Sequence, residues 1–268
     1  NFALLGISSQ YLLNKENTLY GGISQAYRPV IFKDIVPAST YEQIDKNLKD
    51  AYGYNTELGF RGKWKFLKWD VTGFYLQYNN RLGTLAQTDA AGNLIIFRTN
   101  IGNSRTAGLE FFLQGDFYLG KKASLSLFTS TSFMDARYQN ATIKSGNENV
   151  RITGSKVEGV PSWITRNGFT FKYSLVSFSA LYSYTSENFA DPLNTVSPSA
   201  SGATGLVPSY QLLDLNVAIR LTKKIKLSVN ANNLLDEHYF TKRPQFYPGP
   251  GIWSSDGRTF SATASIKI

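Results

Sequence analysis

Long stretches of strict polar–apolar alternation constrain this chain more than any other feature. From Leu213 to Leu221, the apolar residues Leu213, Leu215, Val217, Ile219 and Leu221 are interleaved with Asp214, Asn216 and Arg220. From Thr259 to Ile268, Phe260, Ala262, Ala264, Ile266 and Ile268 alternate with Thr259, Ser261, Thr263, Ser265 and Lys267. Val176, Phe178, Ala180, Tyr182 and Tyr184 repeat the pattern against Ser177, Ser179 and Ser183, as do Leu109, Phe111 and Leu113 against Glu110 and Gln114. Successive side chains of a strand point to opposite faces, so a period of two gives one apolar and one polar face. Read this way, about eleven strands are predicted, over residues 3–13, 18–28, 51–62, 67–83, 94–118, 123–138, 162–173, 176–189, 210–222, 225–240 and 258–268.

The connections fall into two alternating classes. Residues 14–17, 63–66, 119–122, 174–175 and 223–224 make short ones, and residues 29–50, 84–93, 139–161, 190–209 and 241–257 make long ones. An up-and-down meander places alternate connections at opposite ends of its sheet. One end then carries tight turns and the other long loops, the expected form of an outer-membrane barrel. Most of the runs also reach the roughly 9–11 residues of a tilted membrane strand, where a soluble strand has about 5–6. A soluble β-sandwich or propeller shares the alternation but does not explain long loops at every second connection.

Composition removes other chemistries. With no Cys and one His, His238, the chain has no disulfide frame, no thiol nucleophile and no His-rich metal site. No apolar run is long enough for a transmembrane helix. Phosphate loops, nucleophile elbows, Asp-x-Asp calcium loops and paired catalytic carboxylates are missing, so no enzyme activity and no cofactor are expected. The net charge of +9 comes from 28 Lys+Arg against 19 Asp+Glu. Much of the excess sits on separate short turns, at Lys63, Lys65, Lys68, Lys121, Lys122, Lys223, Lys224 and Lys226. Such a scatter fits a rim beside lipid phosphate rather than a nucleic-acid groove. Tyr11, Tyr20, Tyr27, Trp64, Trp69, Tyr78, Tyr118, Trp163 and Tyr173 lie near strand ends, as an interfacial aromatic girdle would. Eleven is an odd number, and an open sheet leaves unpaired edges in lipid, so further strands are expected from elsewhere.

Several segments carry a family resemblance. Asn232-Asn233-Leu234-Leu235-Asp236-Glu237-His238-Tyr239 resembles the penultimate-strand motif of TonB-dependent outer-membrane receptors. In the same order as in that family come Tyr20-Gly21-Gly22-Ile23-Ser24-Gln25-Ala26-Tyr27-Arg28-Pro29, Asn100–Glu110 with its Gly108-Leu109-Glu110 end, and Gly159-Val160-Pro161-Ser162-Trp163. The loop Ser186-Glu187-Asn188-Phe189-Ala190-Asp191-Pro192-Leu193-Asn194-Thr195-Val196, with Ser199–Pro208, is similar to the ferric-dicitrate branch. The final residue departs, because Ile268 stands where these barrels commonly end in an aromatic.

The resemblance implies an all-β fold, an antiparallel up-and-down transmembrane β-barrel of which residues 1–268 are the C-terminal half of 22 strands. It implies a plug, further strands and a TonB-contacting segment upstream, and a Gram-negative outer membrane with its lipid and lipopolysaccharide as surroundings. The implied cargo is a ferric chelate, ferric citrate or a siderophore, with a glycan or cobalamin as alternative cargo and a soluble β-rich carbohydrate-binding module as the alternative of another class. By the resemblance, a ligand-contacting Gln falls at Ala86, beside Gln87, and a contacting Asn falls where this chain has Pro248-Gly249-Pro250-Gly251. From the residues themselves, Arg28, Arg98, Arg243, Gln245, Tyr247 and Trp253 lie in or beside long loops where an anionic chelate would need forks and amides. The competing role for each Arg is pairing with a carboxylate on a neighbouring strand. His238 follows Asp236-Glu237, but a lone His at a strand end is ordinarily a hydrogen-bonded or solvated residue.

Overall fold

The computed structural model describes residues 3–89, 91–244 and 249–267. Eleven antiparallel strands follow one another in chain order across a single sheet: β1 (Gly6–Leu12), β2 (Asn17–Arg28), β3 (Ala51–Trp64), β4 (Leu67–Thr88), β5 (Leu94–Tyr118), β6 (Ala123–Gln139), β7 (Trp163–Tyr173), β8 (Val176–Thr185), β9 (Tyr210–Arg220), β10 (Ile225–Asn232) and β11 (Thr259–Ile266). Among the described residues, β1 and β11 are the two ends of the sheet, which is open.

Register makes the two faces distinct. One cross-strand row runs Leu58–Gly73–Leu109–Phe133–Trp163 from β3 to β7. A second runs Phe178–Val217–Val229–Ala262 from β8 to β11. These rows form the apolar face, and no second layer covers it: Leu58 is 62% exposed, Leu109 57% and Phe260 68%. A soluble sandwich would bury such a face against another sheet. An aromatic belt lies on it toward the long-loop end, where Tyr54 stacks on Tyr75, Phe133 on Trp163, and Trp163 meets Tyr184 with centroids 4.9 Å apart. Of the residues expected to form such a girdle Trp163 takes part, whereas Tyr20 and Tyr78, paired with Gly59 and Ser104, lie on the opposite face.

The opposite face is polar and internally bonded. Tyr20 Oη donates to Asp70 at 2.6 Å, and the Arg61 guanidinium lies 4.0 Å from the Tyr20 ring centre and 3.6 Å from Asp70. Lys68, Gln114 and Ser126 all reach the Asp116 carboxylate. A cavity of about 410 Å³ on this face is lined by Tyr20, Glu57, Arg61, Asp70, Thr72 and Glu110, among others.

Three sequence-based boundaries are corrected. The run 84–93 is not a long loop: β4 continues to Thr88 and β5 begins at Leu94. Asp89 closes that hairpin by accepting from the Ala91 and Asn93 amides. The run 225–240 ends as a strand at Asn232, because Asn233 (φ 49°) and Asp236 (φ 56°) turn left-handed. Asn233 braces that turn, donating to the Glu237 carbonyl and accepting from the Glu237 amide, both at 2.9 Å. The run 176–189 ends at Thr185, and Asn188–Phe189 pairs instead with Leu206–Val207 within the loops. Short turns stand where expected, with Lys65 and Ser174 at positive φ.

Candidate ligand site at the long-loop end

The long loops are built rather than loose. The first, residues 29–50, lays Glu42–Ile44 parallel to Ile96–Arg98 on the extension of β5. Four carboxylates pin it. Asp34 accepts from Arg28 Nη2 at 3.0 Å and from the Ile31 amide. Glu42 takes Arg98 Nη2 at 2.7 Å and the Ala38 amide at 2.6 Å. Asp45 takes the Thr99 hydroxyl at 2.6 Å, and Asp50 takes the Tyr27 hydroxyl and the Val30 amide. Burial pushes the Asp34 carboxyl up, but the Ile31 amide and Arg28 together outweigh it and leave the group below its ordinary 3.8. Asp45 is lowered by Thr99 and the Asn47 amide, and Asp50 by Tyr27 and the Val30 amide.

Arg28 and Arg98, both expected to meet cargo, therefore hold carboxylates in this structure. Arg98 additionally donates to the Lys33 carbonyl at 2.8 Å. Gln87 is exposed near the tip of the β4–β5 hairpin, opposite Ile95. Its neighbour Ala86 is buried and gripped by Asn149, whose side-chain amide bonds both the Ala86 amide (2.7 Å) and carbonyl (2.8 Å) as a strand would. Asn149 belongs to a hairpin, Thr142–Ser145 with Glu148–Arg151, inside the third long connection.

Arg243 differs from the first two arginines. Its Nε donates to the Leu206 carbonyl at 3.0 Å and its Nη1 to the Gly202 carbonyl at 2.8 Å, tying the loop before β9 to the last loop. Its guanidinium also covers the Phe240 ring at 4.7 Å. No carboxylate lies within ion-pair distance of it among the described residues, so its charge is not neutralised. Trp253 pairs with Lys242 in the same loop and is 53% exposed. Gln245 and Tyr247 lie outside the described residues. The structure thus brings Arg243 and Trp253 together in one loop cluster and Arg28 and Arg98 in another, with Gln87 on the β4–β5 hairpin, between the strands of Arg28 and Arg98 in the strand order.

Arg81 was not singled out from the sequence. It follows Asn79-Asn80, where the β4–β5 register shifts and Asn80 has φ 58°. Its guanidinium lies 5.0 Å from the Tyr78 ring centre and 5.1 Å from that of Tyr138, and Nη1 donates to Ser104 at 2.9 Å. Like Arg243, it has no carboxylate partner among the described residues. The paired asparagines, which tolerate a left-handed bulge inside an otherwise regular strand, were the available signal. No group of three or more His, Cys, Asp or Glu capable of holding a metal ion occurs among the described residues. What this end offers is cationic forks, amides and aromatic faces, which suit an intact polyanion rather than a bare metal.

An open antiparallel meander with an uncovered apolar face, a bonded polar face and structured loops at one end is the wall of a transmembrane β-barrel. The family model for "TonB dependent receptor-like, beta-barrel" matches residues 5–234, and the chain belongs to that family. A probable TonB-dependent receptor, BfrD of Bordetella pertussis, is 21% identical over 237 residues, 87% of this chain and 29% of that protein. Among solved structures, the ferric citrate transporter FecA in its unliganded form superposes with a TM-score of 0.76 at 22% identity, over 98% of this chain and 38% of FecA. The siderophore receptor PiuA from Acinetobacter baumannii gives 0.73 at 18% identity, covering 97% and 35%. The copper transporter OprC gives 0.65 at 15%, covering 97% and 38%. The chain spans less than two fifths of each of these proteins, and at these identities the likeness is one of fold.

Proposed function

We propose that residues 1–268 form the C-terminal half of a 22-stranded outer-membrane receptor that imports a ferric chelate, of the ferric-dicitrate branch. In this reading the apolar face meets lipid and the polar face lines the lumen. Plug and TonB contacts come from segments preceding this chain in the full-length receptor. The observation that carries the cargo class is that arginines without carboxylate partners, Arg81 and Arg243 among them, stand at the end where loops open outward. A guanidinium held by carbonyls or aromatic rings keeps its charge for an incoming anion, whereas Arg28 and Arg98 hold their loop in place. The loop 186–208, similar in sequence to the ferric-dicitrate branch, joins this site through the Gly202 and Leu206 carbonyls that Arg243 grips.

Extracellular loops would gather the chelate at this rim, and release inward would depend on the plug pulled by TonB. Titration of outer membranes containing the full-length receptor with ferric citrate tests the reading. Saturable binding at micromolar ligand, weakened in Arg243→Gln, is expected. Absence of saturable binding would remove citrate, and binding of a neutral glycan instead would favour Trp253 as a stacking platform over Arg243 as an anion fork.

A further inference from the structure

A row of positive charge crosses the apolar face just beyond the aromatic belt. Cross-strand pairing places Gln77, Arg105, Arg137 and Lys156 side by side, on β4, β5, β6 and the segment leading to β7. Like charges directly opposite one another destabilise a sheet. Here the one acidic group among them is Asp135, bonded by Arg137 Nε at 2.8 Å and 3.9 Å from Arg105 Nη2. Lys156 is held by the Ser162 hydroxyl at 3.1 Å. Three cations against one carboxylate leave this patch at +2.

Directly beneath the row is a groove of about 720 Å³. It lies over the rows Thr56–Tyr75–Ala107–Asp135 and Leu58–Gly73–Leu109–Phe133, and its floor is low because Gly73 and Ala107 carry almost no side chain. Phe133 stacks on Trp163 at its border, at the level of the aromatic belt.

We infer that this groove and its cationic rim bind one molecule of lipopolysaccharide, with an acyl chain over Gly73 and Ala107 and a lipid A phosphate between Arg105, Arg137 and Lys156. The inference rests on the outer-membrane location proposed above. The occupant follows from charge complementarity: an anionic head beside an acyl chain satisfies both halves of the site, and a neutral lipid satisfies only the groove. The surface is on the opposite face from the lumen and involves none of the residues assigned to cargo.

The test uses the full-length receptor in phosphatidylcholine nanodiscs, titrated with purified lipid A and read by native mass spectrometry. Saturable one-to-one binding is expected, weakened about thirtyfold in R105Q/R137Q. Removing the phosphates from lipid A should weaken binding to the wild type similarly and add nothing in the double variant. Inorganic phosphate alone should not bind. Gly73→Leu should also weaken lipid A binding, by filling the groove. It leaves the cations untouched, and a Cβ at Gly73 makes only ordinary contact, 3.5 Å from Leu109. It therefore decides the question even where R105Q/R137Q does not fold. Wild-type affinity in either folded variant, or equal affinity for phosphatidylglycerol added in place of lipid A, would overturn the site. Ferric citrate binding is measured on the same samples: its loss everywhere with lipid A binding intact would fault the cargo reading alone.

Discussion

Gly108 shows how a single residue type becomes obligatory in this sheet. It pairs with Phe74 on one side and Met134 on the other, on the polar face. The Phe74 ring lies across it, and a Cβ there would overlap both that ring and the Phe133 carbonyl. Tyr20 covers its paired Gly59 and Phe128 its paired Gly168 in the same manner. Aromatic rings over glycines supply contact where the glycine has no side chain of its own. The Gly108-Leu109-Glu110 segment that resembles the family therefore has a packing explanation in its first residue. Gly108→Ala should cost about 1–3 kcal/mol, read as a lowered urea midpoint in refolding into detergent micelles. Gly92 has open space around it but φ 86°, so Gly92→Asn at the β4–β5 hairpin tip, which brings in the side chain that best tolerates a left-handed backbone, should lower that midpoint less than Gly108→Ala does. At Glu42 the expected effect is local. Its side chain is 5% exposed and Arg98 22%, so Glu42→Gln leaves a largely desolvated guanidinium without its counter-charge, at a cost of about 3 kcal/mol. That cost falls on the docking of loop 29–50, and limited proteolysis should cut this loop faster in the variant while the strands stay resistant.

Loop 29–50 is the element whose stability depends most directly on acid. Asp34, Asp45 and Asp50 all have carboxyl groups held below 3.8 by the contacts that anchor the loop. A carboxyl lowered in the folded state stabilises that state above its unfolded pKa, and the contribution is lost as pH falls through the folded value. The loop should therefore stay docked from neutral pH down to about 4 and loosen below it. Amide hydrogen exchange of residues 41–50, corrected for the intrinsic rate, should lose protection below pH 4 while β8 and β9 keep theirs. Equal protection of the loop at pH 3 and pH 7 would refute the carboxylate anchoring.

At this same scale the sequence and the structure part company in an instructive way. All eleven strands were legible because a period of two is imposed by the backbone and filled by an apolar and a polar face, as in Leu213–Leu221. Loops have no such template, and Glu42–Ile44 owes its extended form to Ile96–Arg98, more than fifty residues away. The Thr142–Ser145 and Glu148–Arg151 hairpin was within reach, since Gly146-Asn147 is a turn signal between them. Among site residues, sequence position could place Arg28 and Arg98 near the loops but not reveal that Asp34 and Glu42 face them. Arg81 was hidden because it sits inside a strand, and only the bulge at Asn80 turns it toward Tyr78 and Tyr138.

For the whole molecule the decisive quantity is what the two outer strands leave unpaired. β1 and β11, of seven and eight residues, each bond to one neighbour among the described residues. Along a strand, roughly half of the backbone N–H and C=O groups point to each side, so each of these edges presents several orphan groups. In water such groups are solvated, but in hydrocarbon each costs several kcal/mol. The apolar face compounds the problem, since Ile7 at 72% and Ile266 at 71% exposure sit on those same strands. Neither water nor lipid is therefore a good solvent for these 268 residues by themselves: one exposes the face and the other the edges. Strands that bridge β11 to β1 pair the edges, and lipid then covers the apolar face without cost. Refolded alone into detergent micelles, residues 1–268 should give no compact, heat-modifiable band on a semi-native gel, and they should associate through β1 and β11. The full-length receptor should give that band as a monomer. Lys substituted at Ile7 and Ile266 should reduce self-association of the isolated chain, because an edge charge disfavours strand-to-strand pairing. A monomeric, heat-modifiable species from residues 1–268 alone would mean that the sheet closes on itself, β1 to β11, as an eleven-stranded barrel.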